Sequence, residues 1–176
     1  MTPPDVARLF LALWPDDAVR ARIAAYRDAW RWPAGAKPVP DEKLHLTLHF
    51  IGAFARDRIA ALSEALARVE TEPLCLSGGG AEIWRGGIAV LSVAPVPALT
   101  ALHERLGGAL AGLGIELEAR PFAPHVTLAR KARGAEAPVL PAELDWWARA
   151  PVLVESARVP PSTYRLLCTV GSIEPA

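Results

Sequence analysis

The sequence predicts one α+β domain over residues 1–176, built from two similar lobes. Short apolar runs typical of strands alternate along the chain with amphipathic stretches typical of helices. The tetrad His45-Leu46-Thr47-Leu48 returns 80 residues later as His125-Val126-Thr127-Leu128. Each tetrad also follows an earlier predicted strand at a similar distance, 36 residues after Leu9 and 37 after Ile88. We therefore expect an internal duplication, in which two lobes related by an approximate two-fold axis face their motif strands across a cleft.

Composition limits the classes of function. With 52% hydrophobic and 22% charged residues, the chain is expected to fold without general disorder. Nineteen basic and nineteen acidic residues cancel, so a polyanionic ligand must be held by local placement of charge and not by a long-range positive field. The first residues do not resemble a signal peptide, and no apolar run approaches the ~18 residues of a membrane helix. We expect a cytoplasmic monomer with no membrane association.

The elements of the first half can be predicted in order. An apolar run over residues 8–14, closed by Pro15, is typical of a buried strand. Asp16 or Asp17 is expected to cap a helix whose apolar residues recur at helical spacing as far as residues 33–35, Pro-Ala-Gly. The first motif strand follows and ends at Gly52, and an amphipathic helix is predicted over residues 56–69.

The second half begins with a predicted strand over residues 74–76. Glycines 78–80 are interpreted as a turn or bulge, because no Lys-Ser/Thr follows them as in a phosphate-binding loop. A hairpin is predicted over residues 82–91 with its turn at the paired glycines 86–87. A leucine-rich helix over residues 99–113 then precedes the second motif strand.

The remaining segments are expected to complete the sheets. Residues 138–141 are interpreted as a linker, and strands are predicted over residues 152–157 and 164–170, separated by Pro160-Pro161. Trp146 and Trp147 are expected to pack in the core or between lobes. The two cysteines, Cys75 and Cys168, are expected to be buried free thiols, since their surroundings are apolar and no Cys-x-x-Cys spacing occurs.

The tetrads themselves predict strands. Alternation at period two with β-branched residues places each histidine and threonine on one face, roughly 6–7 Å apart. Each strand then presents one imidazole beside one hydroxyl. Extended strictly, the same alternation places His49 on the face of His45, and places Phe50 and Arg130 on the opposite face.

Two facing imidazoles suit acid–base chemistry on a phosphodiester. In hydrolysis of a cyclic phosphodiester, one imidazole takes a proton from the attacking water and the other gives a proton to the departing ribose oxygen. The hydroxyls of Thr47 and Thr127 can donate to the non-bridging phosphate oxygens. This chemistry requires neither a metal nor another cofactor.

The sequence offers two other interpretations of the histidines, a metal site and a structural role. The spacing of His45 and His49 matches a helical zinc pair, but a strand separates them by roughly 13 Å and the glutamate of a metalloprotease helix is missing. Either tetrad histidine alone would most simply be a hydrogen-bonded core residue, and the matched threonines favour a shared site instead. His49 and His103 have no matched partner and are interpreted as structural.

The chain resembles the two-histidine phosphoesterase superfamily, and within it the bacterial and archaeal RNA 2′,3′-cyclic phosphodiesterases first described as 2′-5′ RNA ligases. The resemblance rests on residues 8–13 followed by Pro15, on residues 44–52 and on residues 120–130. It implies a bilobal α+β fold with a cleft between two antiparallel sheets and helices outside. One departure is Pro160-Pro161-Ser162, where the family often has glycine.

The resemblance also implies an activity, the hydrolysis of an RNA 2′,3′-cyclic phosphate end, or of a small cyclic nucleotide, to a 2′-phosphate. His45 would protonate the 3′ oxygen and His125 would activate water, while Thr47 and Thr127 hold the phosphate. Arg130 would assist phosphate or RNA binding, and Phe50 would stack on a base. The alternatives are 2′-5′ ligation, another cyclic phosphodiester as substrate, or a non-catalytic module that binds RNA ends.

Overall fold

A computed structural model describes residues 5–139, 142, 144–157 and 162–171. Short 3₁₀ turns at Asp41–Lys43 and Arg56–Arg58 precede β3 and α2. The strands and helices, in chain order, are β1 (Val6–Leu13), α1 (Asp17–Asp28), β2 (Lys37–Pro38), β3 (Leu46–Ala55), α2 (Ile59–Ala67), β4 (Leu74–Trp84), β5 (Ile88–Val93), α3 (Pro97–Gly112), β6 (His125–Arg130), β7 (Asp145–Ala148), β8 (Val152–Ser156) and β9 (Tyr164–Thr169).

The strands form a mostly antiparallel, curled sheet, so the α+β class is confirmed. Its strand order is β7-β4-β5-β6-β3-β1-β8-β9, and the short β2 pairs with β6 beside this path. The two motif strands, β3 and β6, are central neighbours. Within the described residues they are joined through one registered pair, Leu46 opposite Val126. Among the described residues the strands thus follow one hydrogen-bonded path, and the two-sheet arrangement implied by the resemblance stays a prediction.

Three amphipathic helices cover one face of this sheet, here called the helix face. Helix α1 begins where predicted, because the carboxylate of Asp16 accepts a hydrogen bond from the Val19 amide at 2.9 Å. Leucines of α2 and α3, with Ile23 of α1, are buried in the main core against the strands. Helix α2 begins at Ile59 and not at residue 56, because the preceding three residues form a 3₁₀ turn.

The opposite face of the sheet, here called the open face, carries a second apolar cluster. Phe10, Ala12, Val152 and Val154 are buried there, with Trp14 and Tyr164 packed against them. Among the described residues, no helix has both the length and the apolar character needed to cross a bilayer. The tetrad side chains lie on this open face.

Several local predictions were wrong or incomplete. Strands β2 and β7 were not predicted. Glycines 78–80 lie inside β4 at a shift of its register against β5, so of the two predicted alternatives the bulge is confirmed and the turn is not. Trp146 is buried as expected, but Trp147 is 62% exposed because strand β7 alternates between the two faces. Cys75 is free but exposed, since it alternates with buried Leu74 and Leu76. The end of the predicted linker at Pro141 and the Pro160-Pro161 connection lie outside the described residues.

Candidate active site between the two motif strands

Each motif strand contains a β-bulge at the last residue of its tetrad. In β3, Thr47 pairs with Ala12 and His49 with Leu11, so Leu48 is the extra residue. In β6, Thr127 pairs with Val90 and Ala129 with Ala89, so the extra residue is Leu128. A bulge of this kind shifts the side chains that follow it to the other face, as far as the next irregularity, which in β3 lies at Ile51. The two bulges are 80 residues apart, at equivalent positions of the repeat.

The bulges correct three predictions that relied on strict alternation. His49 lies on the helix face and not beside His45, and it donates its Nε2 hydrogen to the carbonyl of His103 at 2.8 Å. Phe50 lies on the open face, with its ring centroid 6.3 Å from that of Phe10. Arg130 follows buried Ala129 and shares the open face, where its positive charge helps to lower the pKa of His45.

The register of β3 and β6 brings the two tetrads together. Because Leu46 is opposite Val126 in an antiparallel pair, His45 lies toward Thr127 and Thr47 lies toward His125. The two histidines are then diagonal neighbours on one face, with backbone positions roughly 7–8 Å apart. The charge of His125 also helps to lower the pKa of His45, as expected for groups in one site. All four tetrad side chains that the sequence singled out therefore converge.

Both imidazoles are held in the same tautomer by the same kind of contact. The Nδ1 atom of His45 is 2.7 Å from the carbonyl of Lys43, and that of His125 is 2.7 Å from the carbonyl of Ala123. A carbonyl only accepts hydrogen bonds, so each Nδ1 carries a hydrogen and each Nε2 is the atom left for acid–base chemistry. The Thr47 hydroxyl lies 3.0 Å from Nε2 of His45 and donates to it when the ring is neutral.

His45 is enclosed by aromatic rings. Trp14 stacks on it with centroids 5.2 Å apart, Phe10 lies at 5.0 Å, and Tyr164 meets it edge-on at 5.6 Å. Burial lowers the pKa of His45 to about 4, and the positive charges of His125 and Arg130 act in the same direction. His45 is therefore neutral in the free protein at neutral pH.

His125 has a more polar environment. The ring of Trp84 lies 4.2 Å from it, and the indole nitrogen of Trp84 donates to Glu82 at 2.8 Å. Burial also lowers the pKa of His125, but the negative charge of Glu82 opposes that shift. Of the two imidazoles, His125 is thus the one with a carboxylate close enough to favour its charged form.

A buried arginine holds the turn that precedes His45. Arg27 of α1 is hydrogen-bonded to the carbonyl of Val39 and forms ion pairs at 2.8 Å with Asp28 and Asp41. Asp41 begins the 3₁₀ turn that ends at Lys43, whose carbonyl fixes the ring of His45. Arg27 thereby links α1 to the backbone that orients one tetrad histidine.

We expect Arg27→Met to destabilise the protein by about 1–3 kcal/mol, because the change leaves the Val39 carbonyl and two carboxylates without their donor. The two carboxylates are 65% and 64% exposed, so water already weakens their ion pairs with Arg27. The expected decrease in the free energy of unfolding is therefore no larger than this range. Urea unfolding measures it, with Arg22→Met on the same helix as the control, since Arg22 is exposed. Equal stability of the two variants would show that the contacts of Arg27 contribute nothing.

The rings of His49, His103 and Phe122 form a stack on the helix face, with centroids 3.9 and 4.0 Å apart. Burial lowers the pKa of His103 to about 4, and His49 adds to this effect. The structural interpretation of both histidines agrees with these contacts. Since His45 and His49 lie on opposite faces, they do not form a zinc pair. Among the described residues no group of three or more His, Cys, Asp or Glu side chains is arranged to hold a metal ion.

The sequence did not identify the rings that surround the two histidines. Trp14 was predicted to lie at the end of a strand, but its stacking on His45 depends on the register of β1 against β3. Trp84 was placed in a hairpin with no role, and Tyr164 in a closing strand. These residues come from separate strands, so no local sequence signal connects them to the tetrads.

Comparison with known proteins agrees with this architecture. A family model described as the 2′-5′ RNA ligase superfamily matches residues 15–159. The RNA 2′,3′-cyclic phosphodiesterase of Escherichia coli is 32% identical over 130 residues, which cover 73% of this chain and 74% of that protein. The enzyme of that name from Geobacillus stearothermophilus is 36% identical over 118 residues, and the match covers 60% of this chain but only 35% of that longer protein.

The fold is also found among solved structures. The crystal structure of E. coli LigT complexed with 3′-AMP superimposes with a TM-score of 0.79 at 27% identity, covering 93% of this chain and 97% of that one. On the evidence of its paired tetrads, its sheet order and these matches, the chain belongs to the 2′-5′ RNA ligase superfamily.

Proposed function

We propose that this protein hydrolyses RNA 2′,3′-cyclic phosphate termini to 2′-phosphates, using His45 and His125 as an acid–base pair. One observation carries the proposal: two imidazoles in the same tautomer lie on one face of the sheet. They flank Leu46 and Val126, the only registered pair between β3 and β6 among the described residues. Relatives named RNA 2′,3′-cyclic phosphodiesterase and the 3′-AMP complex of LigT support the substrate class.

In the proposed reaction each Nε2 atom transfers one proton. His125 takes a proton from water, the water oxygen bonds to phosphorus, the bond from phosphorus to the 3′ oxygen breaks, and His45 gives its Nε2 proton to that oxygen. Thr47 and Thr127 donate to the non-bridging oxygens, where negative charge increases in the transition state. Arg130 on the same face adds a fixed positive charge, and Phe50 offers a ring to the terminal base.

If His45 is the acid, the bound substrate must change its protonation state. The resemblance makes His45 the acid, yet burial holds the pKa of His45 at about 4 in the free protein. The bound phosphate must therefore raise this pKa, which a negative charge close to an imidazolium does. We assign the acid role to His45 because its pKa is expected to rise in the complex. His45 then takes up its Nε2 proton when the substrate binds.

We also propose that the duplication is real and that residues 1–176 form one two-lobed phosphoesterase domain. The strand order supports this, since β5 and β1 flank the central strands β6 and β3 in equivalent positions and each is followed by a helix. The equivalent bulges at Leu48 and Leu128 support it further. The lobes then face each other across the joint between the motif strands, and one copy of the chain suffices for the site.

The direct test uses an oligonucleotide that ends in a 2′,3′-cyclic phosphate, incubated with the protein in EDTA. We expect complete conversion to the 2′-phosphate, identified by chromatography against 2′- and 3′-phosphate standards, because no step needs a metal. Loss of activity in EDTA that Mg²⁺ or Zn²⁺ restores would contradict the metal-independent mechanism. Joining to a 5′-hydroxyl oligonucleotide without hydrolysis would favour the ligase alternative, and binding by wild type and His125→Ala without any reaction would favour a non-catalytic module.

The proposal predicts bell-shaped pH dependence. The reactive protein carries one proton on the two Nε2 atoms, so kcat/KM falls below the lower pKa, where both imidazoles are charged, and above the higher pKa, where both are neutral. Because burial lowers both pKa values from about 6.5, the maximum of kcat/KM is expected on the acid side of pH 6.5. The maximum of kcat should lie at higher pH, since the bound phosphate raises both values. A kcat/KM that climbs steadily from pH 5 to 9 would contradict the assignment.

A further inference from the structure

The open face continues beyond His45 as an apolar platform, formed by Phe10, Phe50, Val154, Tyr164 and Leu166. Phe10 and Val154 are buried in it and are registered partners in β1 and β8. Phe50 and Leu166 flank them and are each 48% exposed. Large apolar side chains left this exposed beside a candidate active site are typical of a binding surface.

The charges around this platform are positive. Arg8 precedes Phe10 by two residues in β1 and shares its face, and its charge, like that of Arg130, acts to lower the pKa of Tyr164 against the stronger effect of burial. The ammonium group of Lys43 lies 5.5 Å from the centroid of the Tyr164 ring. Within the described part of the chain, neither Arg8 nor Arg130 forms an ion pair with a carboxylate.

The nearest acidic residue of these strands faces the other way. Glu155 of β8 is the registered partner of Leu9, which is buried on the helix face. Its carboxylate is bound by Arg56 and by Arg165, at 2.5 and 2.7 Å. Arg8 is therefore an exposed guanidinium at the edge of an aromatic surface, with the neighbouring carboxylate already neutralised.

We propose that this platform binds the single-stranded RNA that precedes the cyclic phosphate, and that Arg8 contacts a phosphate of that segment. The inference rests on the proposed function and specifies its substrate class, oligonucleotides in preference to mononucleotides. Arg8 is four residues, roughly 13 Å of strand, from Ala12, which lies opposite Thr47. Arg8 is thus too distant to hold the reacting phosphate, and it lies where the preceding phosphate of the RNA would be.

The composition of the platform fits single-stranded RNA. Aromatic rings accept stacked bases of any identity, and flanking cations follow the phosphate backbone. Phe50 is the exposed ring between the tetrad threonine and Arg8, with the buried ring of Phe10 beside it, where the base and sugar of the terminal nucleotide would extend. Because the net charge of the chain is zero, these few local cations supply the attraction.

The test compares Arg8→Gln with wild type on two substrates, a trinucleotide ending in a 2′,3′-cyclic phosphate and a 2′,3′-cyclic mononucleotide. We expect wild type to prefer the trinucleotide in kcat/KM, and Arg8→Gln to lower the ratio of the two kcat/KM values about tenfold, the low end of the range for a hydrogen bond to a charged group. The loss should appear mainly in KM. Arg68→Gln, at the end of α2 on the helix face, is the matched control and should leave the ratio unchanged.

A second measurement separates this proposal from the proposed function. The dissociation constant of the trinucleotide 2′-phosphate product, measured by fluorescence anisotropy, should rise about tenfold in Arg8→Gln, and the slope of log K against log salt should fall by about one. This readout does not need catalysis, so it stands even if wild type hydrolyses neither substrate. An Arg8→Gln variant that binds and discriminates like wild type, or that loses both substrates equally, would overturn the inference.

Discussion

Replacing His45 or His125 by alanine is expected to lower kcat for a 2′,3′-cyclic phosphate end by roughly 10² to 10⁴, the usual contribution of a positioned acid or base. Under the proposed mechanism, each change removes the Nε2 atom that exchanges a proton with the ribose oxygen or with water. KM should change far less, because the proposed phosphate contacts of Thr47, Thr127 and Arg130 are kept. Single-turnover kinetics measure the effect. His103→Gln is the control, since His103 lies on the helix face, and it should leave the rate nearly unchanged.

A substrate with a good leaving group tells the two histidines apart. The 4-nitrophenyl ester of 3′-deoxyadenosine 2′-phosphate releases nitrophenolate, which needs no proton, so loss of the acid matters little. We expect His45→Ala to retain most of the wild-type rate on this ester and His125→Ala to stay impaired. The reverse result would exchange the roles of the two residues. Equal impairment of both variants would contradict a division of roles.

Replacing a tetrad threonine by valine, which has nearly the same shape, is expected to reduce kcat by roughly 10² to 10³, as for loss of one donor to a developing oxyanion. Serine at the same position should restore most of the rate, because it restores the hydroxyl. Thr47→Val should also raise the pKa of His45, since it removes a donor that stabilises the neutral ring.

The two threonine variants should differ in their pH profiles. The hydroxyl of Thr47 is hydrogen-bonded to Nε2 of His45, but in the described structure no hydrogen bond joins Thr127 to Nε2 of His125. Thr127→Val should therefore leave the pH profile close to that of wild type. Identical shifts in both variants would show that the Thr47 contact does not set the protonation of His45. If either variant keeps the wild-type kcat, that threonine does not bind the phosphate in the transition state.

The sequence was sufficient for the parts of the fold that depend on local pattern. Neighbouring residues carry the signals for the helix cap, for the leucine stripe of α3 and for the alternation within each tetrad. The cap was predicted at Asp16 or Asp17, and the structure has it at Asp16. The convergence of the tetrads was inferred from their repetition, and the β3–β6 register agrees with it.

The sequence was not sufficient where a partner strand decides the outcome. A β-bulge has no local signal here, because Leu48 and Leu128 continue the period-two pattern. Strict alternation therefore assigned Phe50 and Arg130 to the wrong face. The same limit explains Trp84 and Tyr164, whose contacts with the histidines depend on the pairing of β4 with β5 and of β8 with β9.

The central claim is that His45 and His125 contact one phosphate together, and NMR titration of the histidine rings tests it most directly. Adenosine 2′-monophosphate, the product of the simplest substrate, should raise the pKa of both His45 and His125, because one dianion lies between the two imidazoles. The resonances of His49 and His103, on the helix face, should be unaffected. An increase for only one of the two tetrad histidines, or for neither while the nucleotide binds, would contradict the shared site.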